Sequence, residues 1–405
     1  MVCGQWIRAR SAACPARLGF EDLEEDVVVR ILVDQSGYEL LNLGDVAMLQ
    51  VCVGRLKNLW PNADIDVLTR SPQRLRQFCP GATAVTPDIS PRKSRRSDSR
   101  RLPGALWRAD LVVSSGGGFI NDVFWFHGKR VLTLLSLAQR LGKPTAMFSQ
   151  GIGPLTHPKL TRLVTRIMPR LLVIGLREGL GSVPVLRARR VNPELIHVTG
   201  DDALLLATTP ERPPTGTAIG LNMRVAPYSE IDSGLASRAG VVTAESASRR
   251  GVTALPLPVS RYQTTFDLDA IQNGASGREN GARRDADDIL TPEELAERAA
   301  RCRVVVTASY HAAVFGLAAG VPAVCVTNSR YYDLKFAGLG AQFPGGCHIV
   351  RPGPCFEREL SDAIDRAWDA SESDRDHMHS AAKAQIAQAD HVYTRFKSLV
   401  AATAT

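Results

Sequence analysis

The chain has 405 residues, of which 44% are hydrophobic and 22% charged, with a formal net charge of +8. That length exceeds what one hydrophobic core usually sustains, so two domains are expected, and the composition needs no disulfide or metal staples. No apolar run approaches the roughly 18 residues of a membrane span, and residues 1–20 lack the apolar core of a secretory signal, so a cytoplasmic protein is expected.

Residues 1–26 show no periodicity and read as a tail. Residues 27–33 (VVVRILV) are a β-branched run that predicts a buried strand. Asn42-Leu43-Gly44-Asp45 then opens a helix, because Val46, Leu49, Val53, Leu56 and Trp60 recur every three or four residues until Pro61 stops it. Residues 65–68 are the next strand. The segment 90–101, with Arg92-Lys93-Ser94-Arg95-Arg96 and Arg100-Arg101, reads as a basic loop. It is either plainly solvated or drawn to a diphosphate carrier or an anionic membrane face, the latter making the protein peripheral at the inner membrane. Strand 110–115 runs into Gly116-Gly117-Gly118. A helix at 131–141 is closed by Gly142, with Pro144 just beyond. Strand 145–149, a turn at Gln150-Gly151-Ile152-Gly153-Pro154, helix 160–167, strand 171–176 and strand 195–199 follow, the last leading to Gly200-Asp201-Asp202.

Residues 208–216 (TTPERPPTG) have the composition of a linker. The pattern restarts with strand 218–223. Residues 229–288 are rich in Gly, Ser, Arg and Ala and offer one strand-like run at 252–259. Thr291-Pro292-Glu293-Glu294 is a capping box that starts a helix at 292–301. Strand 303–307, a buried helix at 311–319 capped by Gly320, and strand 322–326 come next, and helices fill the chain from Phe356 onward. Alternating strands and helices predict parallel sheets covered on both faces. The expected fold is α/β, with two Rossmann-like αβα domains facing across a cleft. Their bounds are 27–207 and 217–405, the second closed by the C-terminal helices.

In such folds ligands sit beyond the carboxyl ends of the strands, where helix N-termini aim N–H groups at anions. Four places there carry candidate chemistry. Gly116, Gly117 and Gly118 allow close backbone approach or simply make a tight turn; they do not form the GxGxxG fingerprint, which disfavours a nicotinamide cofactor. Asp45 either caps its own helix or stands in the cleft as a carboxylate that orients or deprotonates a sugar hydroxyl. Arg177, ending a strand and followed by Glu178, can clamp a phosphate or carboxylate, or pair at the surface. Ser309-Tyr310-His311 presents a hydroxyl and an imidazole at the start of a buried helix, the alternative being a capping serine and a packed histidine. The eight cysteines form no CxxC pair and no Cys/His grouping at zinc spacing, so reduced thiols and no metal are expected. No zinc-finger or RNP-like aromatic pattern accompanies the basic charge, so nucleic acid is not an expected partner.

Taken in order, these strings resemble the polysaccharide pyruvyl transferase family. The resemblance runs from about Arg30 to Leu339. It rests on N-x-G-D at Asn42 to Asp45, the strand with its GGG, QGIGP from Gln150, Arg177-Glu178, D-x-A around Asp202, and H-A-x-x-F…A-x-G-V-P from His311 to Pro322. Tyr331-Tyr332-Asp333-Leu334-Lys335 resembles the family's next segment, which also carries a lysine. The resemblance implies the fold of B-type glycosyltransferases and transfer of a pyruvyl group from phosphoenolpyruvate to a sugar diol. The product is a ketal, phosphate is released, and neither metal nor nicotinamide is used. It implies a glycan or lipid-linked saccharide as acceptor. His311 is then catalytic with Asp45; Arg177, Ser309, Tyr310 and Lys335 serve the donor; Asn42, the three glycines and Gln150 line the acceptor side of the cleft. Ser309 stands where the family commonly has arginine. The alternatives are a nucleotide-sugar glycosyltransferase on the same fold and a catalytically silent glycan-binding homologue.

Overall fold

The computed structural model describes residues 28–87, 100–262 and 291–404. The expected tail and most of the basic loop lie outside these residues. Strands β1 (Arg30–Asp34), β2 (Asp64–Leu68), β3 (Ala82–Thr86), β4 (Arg100–Arg101), β5 (Leu111–Ser114), β6 (Gly117–Ile120), β7 (Thr145–Ile152), β8 (Ile174–Leu176) and β9 (Ile196–Val198) form one sheet. Its order is β4-β3-β2-β1-β5-β7-β8-β9 with β6 beside β7, and every pairing is parallel. Strands β10 (Ala218–Asn222), β11 (Ala254–Pro256), β12 (Cys302–Thr307), β13 (Ala323–Val326) and β14 (Cys347–Val350) form a second parallel sheet, ordered β11-β10-β12-β13-β14.

The unbroken apolar runs explain the layering. In β1, Leu32 packs into one helix layer while Ile31 and Val33 pack into the other. In β12, Val305 faces one core while Val304 and Val306 face its opposite. Strands read as continuous Val/Ile/Leu because both faces are covered. The chain is thus two αβα domains with parallel sheets. We propose their boundary within 208–216, a stretch without helix or strand.

Several elements differ from the sequence expectation. β7 continues through Ile152, so Gln150 is a strand residue rather than the start of a turn. Residues 233–249 form a 17-residue helix, Ser233–Arg249, that was not expected. Its buried face is built from Leu235, Ala236, Ala239, Val242, Thr243 and Ala247, residues too small to make a clear apolar stripe. Arg100, at the end of the basic segment, joins β4 and pairs with Asp64 at 2.9 Å and Asp66 at 2.8 Å. The last helix, Glu372–Ala404, spans about 50 Å. Met378 and Ala382 pack into the second domain, and Val392, Tyr393, Phe396 and Val400 into the first. Among the described residues no helix is long and apolar enough to cross a membrane.

Each sheet has one point where strand order reverses: between β1 and β5 in the first, between β10 and β12 in the second. Crevices at such points receive ligands. Here the two crevices face each other.

Candidate active site

The facing edges are joined by backbone. Asn42 and Ser260 form an antiparallel bridge, with Leu43 N donating to Val259 O at 2.9 Å and Arg261 N to Leu41 O at 2.8 Å. Beside this bridge lies a cleft of about 280 Å³. Asn42, Asp45, Gly118, Arg177, Ser309, Tyr310, His311 and Lys335 all line it.

The first domain supplies a carboxylate freed by a neighbour. Asn42 Oδ1 caps helix Leu43–Leu59, accepting from Gly44 N at 3.0 Å and Asp45 N at 3.3 Å. Asp45 is therefore not the cap. Its side chain faces the cleft, where burial raises its pKa against the opposing charges of Arg224, Arg177 and Lys335. Gly44 is required by contact: a Cβ there would lie 2.0 Å from His311 Cγ. The imidazole rests directly on the backbone of the opposite domain.

His311 sits in the first turn of helix Tyr310–Ala318, all of whose residues are buried. Ser309 precedes it as N-cap residue, but its side chain makes no capping bond. His311 Nε2 lies 3.7 Å from Asp201 Oδ2. Arg177 Nη1 lies 3.7 Å from the same oxygen. These contacts are longer than hydrogen bonds, and His311 Nε2, Asp201 Oδ2, Arg177 Nε and Arg177 Nη2 all lack hydrogen-bond partners among the described residues. Burial, then the charges of Arg177, Lys335 and Arg224, push His311 well below its ordinary value, which favours the neutral ring. Burial pushes Asp201 up to about 7, partly opposed by Arg177.

Arg177 follows β8, 1% exposed, with its guanidinium 4.4 Å from the Tyr310 ring centre. It fits because Gly118 and Gly151 flank it; a Cβ on Gly118 would stand 2.1 Å from Nη2, and one on Gly151 2.7 Å from Nε. Lys335 extends from helix Arg330–Gln342, its Nζ 3.9 Å from the Tyr331 ring centre. Burial, then Arg177, push its pKa well below the ordinary ammonium value, while Asp45 pulls it back. Tyr331 Oη donates to Gly118 O across the cleft at 2.7 Å. Behind this partition a second lobe of about 320 Å³ opens around Gly151, Leu180 and Leu334.

Three expected residues are not in the cleft wall. Gln150 turns its amide to the carbonyls of Ser115 and Phe148, inside the sheet. Gly116 packs against Met48 and Gly117 against Phe119. Conversely, the cleft holds Arg224, Tyr228, Tyr262, Tyr331 and His127, with Asp201 behind His311. Arg224 lies just beyond β10, a strand legible in the sequence, so the strand-end rule that found Arg177 could have found it. Among the described residues no group of three or more His, Cys, Asp or Glu is placed to hold a metal ion.

A family model described as polysaccharide pyruvyl transferase matches residues 42–330. No curated protein sequence matches the chain significantly. Solved structures share the fold at low identity. A protein assigned as a UDP-N-acetylglucosamine 2-epimerase from Listeria monocytogenes aligns with TM-score 0.59 and 13% identity over 92% of this chain and 97% of its own. A UDP-glucosyltransferase from Polygonum tinctorium aligns with TM-score 0.55 and 10% identity over 93% and 99%. HepE of Anabaena, solved with UDP and glucose, gives TM-score 0.51 and 14% identity over 92% and 98%. At these identities the likeness concerns the fold alone, which is that of two-domain B-type glycosyltransferases and epimerases.

Proposed function

This chain belongs to the polysaccharide pyruvyl transferase family, and from that premise we propose that it moves a pyruvyl group from phosphoenolpyruvate to a sugar diol. The product is a cyclic ketal on a glycan or lipid-linked saccharide, and inorganic phosphate leaves. The observation that carries this reading is the convergence of Arg177, Arg224 and Lys335 on the ring of His311. A small trianion with a carboxylate and a phosphate matches two arginines and Lys335, whose ammonium form the donor's charge favours, in about 280 Å³.

The chemistry needs a proton on the donor's methylene carbon and stabilisation of positive charge at C2. The donor's own charge opposes the field of the cations and lifts the His311 pKa, so the imidazole becomes an acid as the donor arrives. Protonated His311 gives its proton to C3. One acceptor hydroxyl bonds to C2 and loses its proton to Asp45. The second hydroxyl then bonds to C2 as the C2–O–phosphate bond breaks, its proton leaving with phosphate or returning to His311. Asp201, protonated below about pH 7 and facing His311 Nε2, can resupply the proton that His311 gives to C3, its carboxylate then pairing with the imidazolium so formed. Ser309, without the guanidinium common at this position, leaves Arg224 and Lys335 as the second-domain cations of the donor site.

The test is phosphate release from phosphoenolpyruvate with candidate saccharide acceptors, paired with thermal shifts against UDP- and GDP-sugars. His311→Ala should lower turnover by about two orders of magnitude or more while the fold persists. A shift with nucleotide sugars and none with phosphoenolpyruvate overturns the proposal in favour of glycosyl transfer. No shift with either favours a silent homologue.

A further inference from the structure

The first domain holds a second chamber, of about 350 Å³, that the reaction does not use. It lies over the carboxyl ends of β1 and β2, under the helix Trp125–Arg140, and is lined mainly by apolar side chains including Leu68 and Phe126. At its floor is Asp34, 1% exposed. Asp34 Oδ1 accepts from Tyr38 Oη at 2.8 Å and Gln35 N at 2.9 Å. Its other oxygen, Oδ2, is buried without a hydrogen-bond partner among the described residues. Lys129 and Arg130 line the chamber from the helix above, Arg130 already donating to Pro87 O and lying 5.0 Å from the Tyr38 ring centre, and Phe126 is 70% exposed beside them.

A carboxylate oxygen left unpaired in an apolar surrounding costs stability, so its retention points to a ligand that donates to it. A purely apolar chain would leave that oxygen unsatisfied. Lys129, exposed beside the same chamber, suits an anion, and an exposed aromatic ring suits the C–H face of a pyranose. We propose that this chamber is a second subsite, binding a phosphorylated saccharide unit through a hydroxyl on Asp34, an apolar sugar face on Phe126 and phosphate at Lys129.

Its position gives it a role. Tyr38 forms part of the chamber wall, and His127, 5.1 Å away ring to ring, lines the catalytic cleft with its Nε2 also unpartnered among the described residues. The two cavities are one layer of side chains apart. Resting on the pyruvyl-transfer reading, the chamber takes the part of the acceptor next to the reacting sugar.

Titration of the full chain with glucose 1-phosphate, followed by NMR or calorimetry, tests the subsite without turnover. Binding should persist under saturating phosphoenolpyruvate. Methyl glucoside, inorganic phosphate and octyl phosphate should each bind more weakly. Asp34→Asn and Lys129→Ala should each weaken glucose 1-phosphate by about tenfold, the lower end for a charge-assisted hydrogen bond. Lys129 lies on the exposed side of its helix, so that variant tests the idea even if Asp34→Asn disturbs the fold. Displacement by phosphoenolpyruvate, equal binding of octyl phosphate, absence of binding, or no effect of Lys129→Ala overturns the subsite. If phosphoenolpyruvate does not bind but glucose 1-phosphate does, the pyruvyl-donor reading fails and the subsite stands.

Discussion

Asp201 and Asp202 are neighbours in sequence, both are buried, and each faces a buried arginine from the first domain. Around Asp202 every group is engaged. Arg55 donates Nη1 to Asp202 Oδ1 at 2.6 Å and Nε to Asp390 at 2.8 Å, while Tyr393 Oη donates to Asp202 Oδ2 at 2.9 Å. This network fastens helix Leu43–Leu59 and the last helix to the chain after β9. Asp201 Oδ1 accepts from Ala203 N at 2.9 Å, but Oδ2 stands 3.7 Å from both Arg177 and His311, and among the described residues both of these keep unpaired N–H or N atoms. A charge pair whose hydrogen bonds are complete holds elements together. One held just out of hydrogen-bonding distance leaves its donors aimed at whatever enters the cleft.

The largest expected effect lies on the closed pair. Arg55→Ala removes one partner of a buried, hydrogen-bonded pair and should cost about 3–5 kcal/mol of stability. Turnover per folded molecule should be unchanged. Denaturant melts alongside activity measure both, and unaltered stability breaks the contrast at its structural side. On the open pair, Arg177→Lys keeps the charge but loses the planar fork. Phosphoenolpyruvate affinity should fall about tenfold or more with the melting midpoint nearly constant. A variant that melts early yet binds normally would make Arg177 structural as well.

A smaller effect concerns pH. Asp201 has its carboxyl raised to about 7, so its proton is present below that value and lost as pH rises through it. If that proton supports His311, turnover at saturating substrate falls above about pH 7. Asp201→Asn cannot titrate and should flatten that limb while lowering the plateau. The same shift makes the native state bind more protons than the unfolded chain, so stability declines as pH climbs from the usual carboxylate range to about 7. Asp202→Asn should not change the pH profile of turnover, and an equal change from both variants would erase the distinction between them.

The sequence carried the site further than it carried this distinction. Residues at strand ends were legible because apolar runs locate strands, and the strand ends locate ligands. That placed Asp45, Arg177, Ser309, Tyr310 and His311 in advance, while Lys335, inside a helix, came from the family resemblance alone; all six line one cleft. Which of two adjacent aspartates faces Arg177 and His311 was not legible, since Gly200 at φ +77° sets the direction of the chain just before them. Helix Ser233–Arg249 stayed hidden because alanine, serine and glycine pack a buried face without marking it. Gln150, Gly116 and Gly117 look like ligand residues in one dimension, yet the sheet consumes the amide nitrogen of Gln150, and the side chains of Met48 and Phe119 fill the space a Cβ would need.

The smallest expected effect comes from Ser309, where the family commonly has arginine. Ser309 lines the cleft, is 1% exposed, and its side chain does not cap the helix it precedes, so a longer side chain there breaks no cap. Ser309→Arg adds a fork for the donor, which alone would tighten phosphoenolpyruvate by about tenfold. Arg177, Arg224 and Lys335 already surround that space, however, and a fourth cation is repelled by them. The same added charge lowers the His311 pKa further, because like charges disfavour the imidazolium. The net expectation is tightening by less than tenfold together with a modest drop in turnover. Arg224→Gln supplies the decisive background. If Arg224 supplies what position 309 lacks, Ser309→Arg should recover most of the affinity that Arg224→Gln loses, and the two changes should be strongly non-additive in calorimetric titrations. Simple additivity would mean that Arg224 and position 309 serve different parts of the donor. A hundredfold gain in the otherwise unaltered chain would mean that Arg224 does not serve the donor at all, and that the open pair at Asp201 works against a deficit rather than in balance.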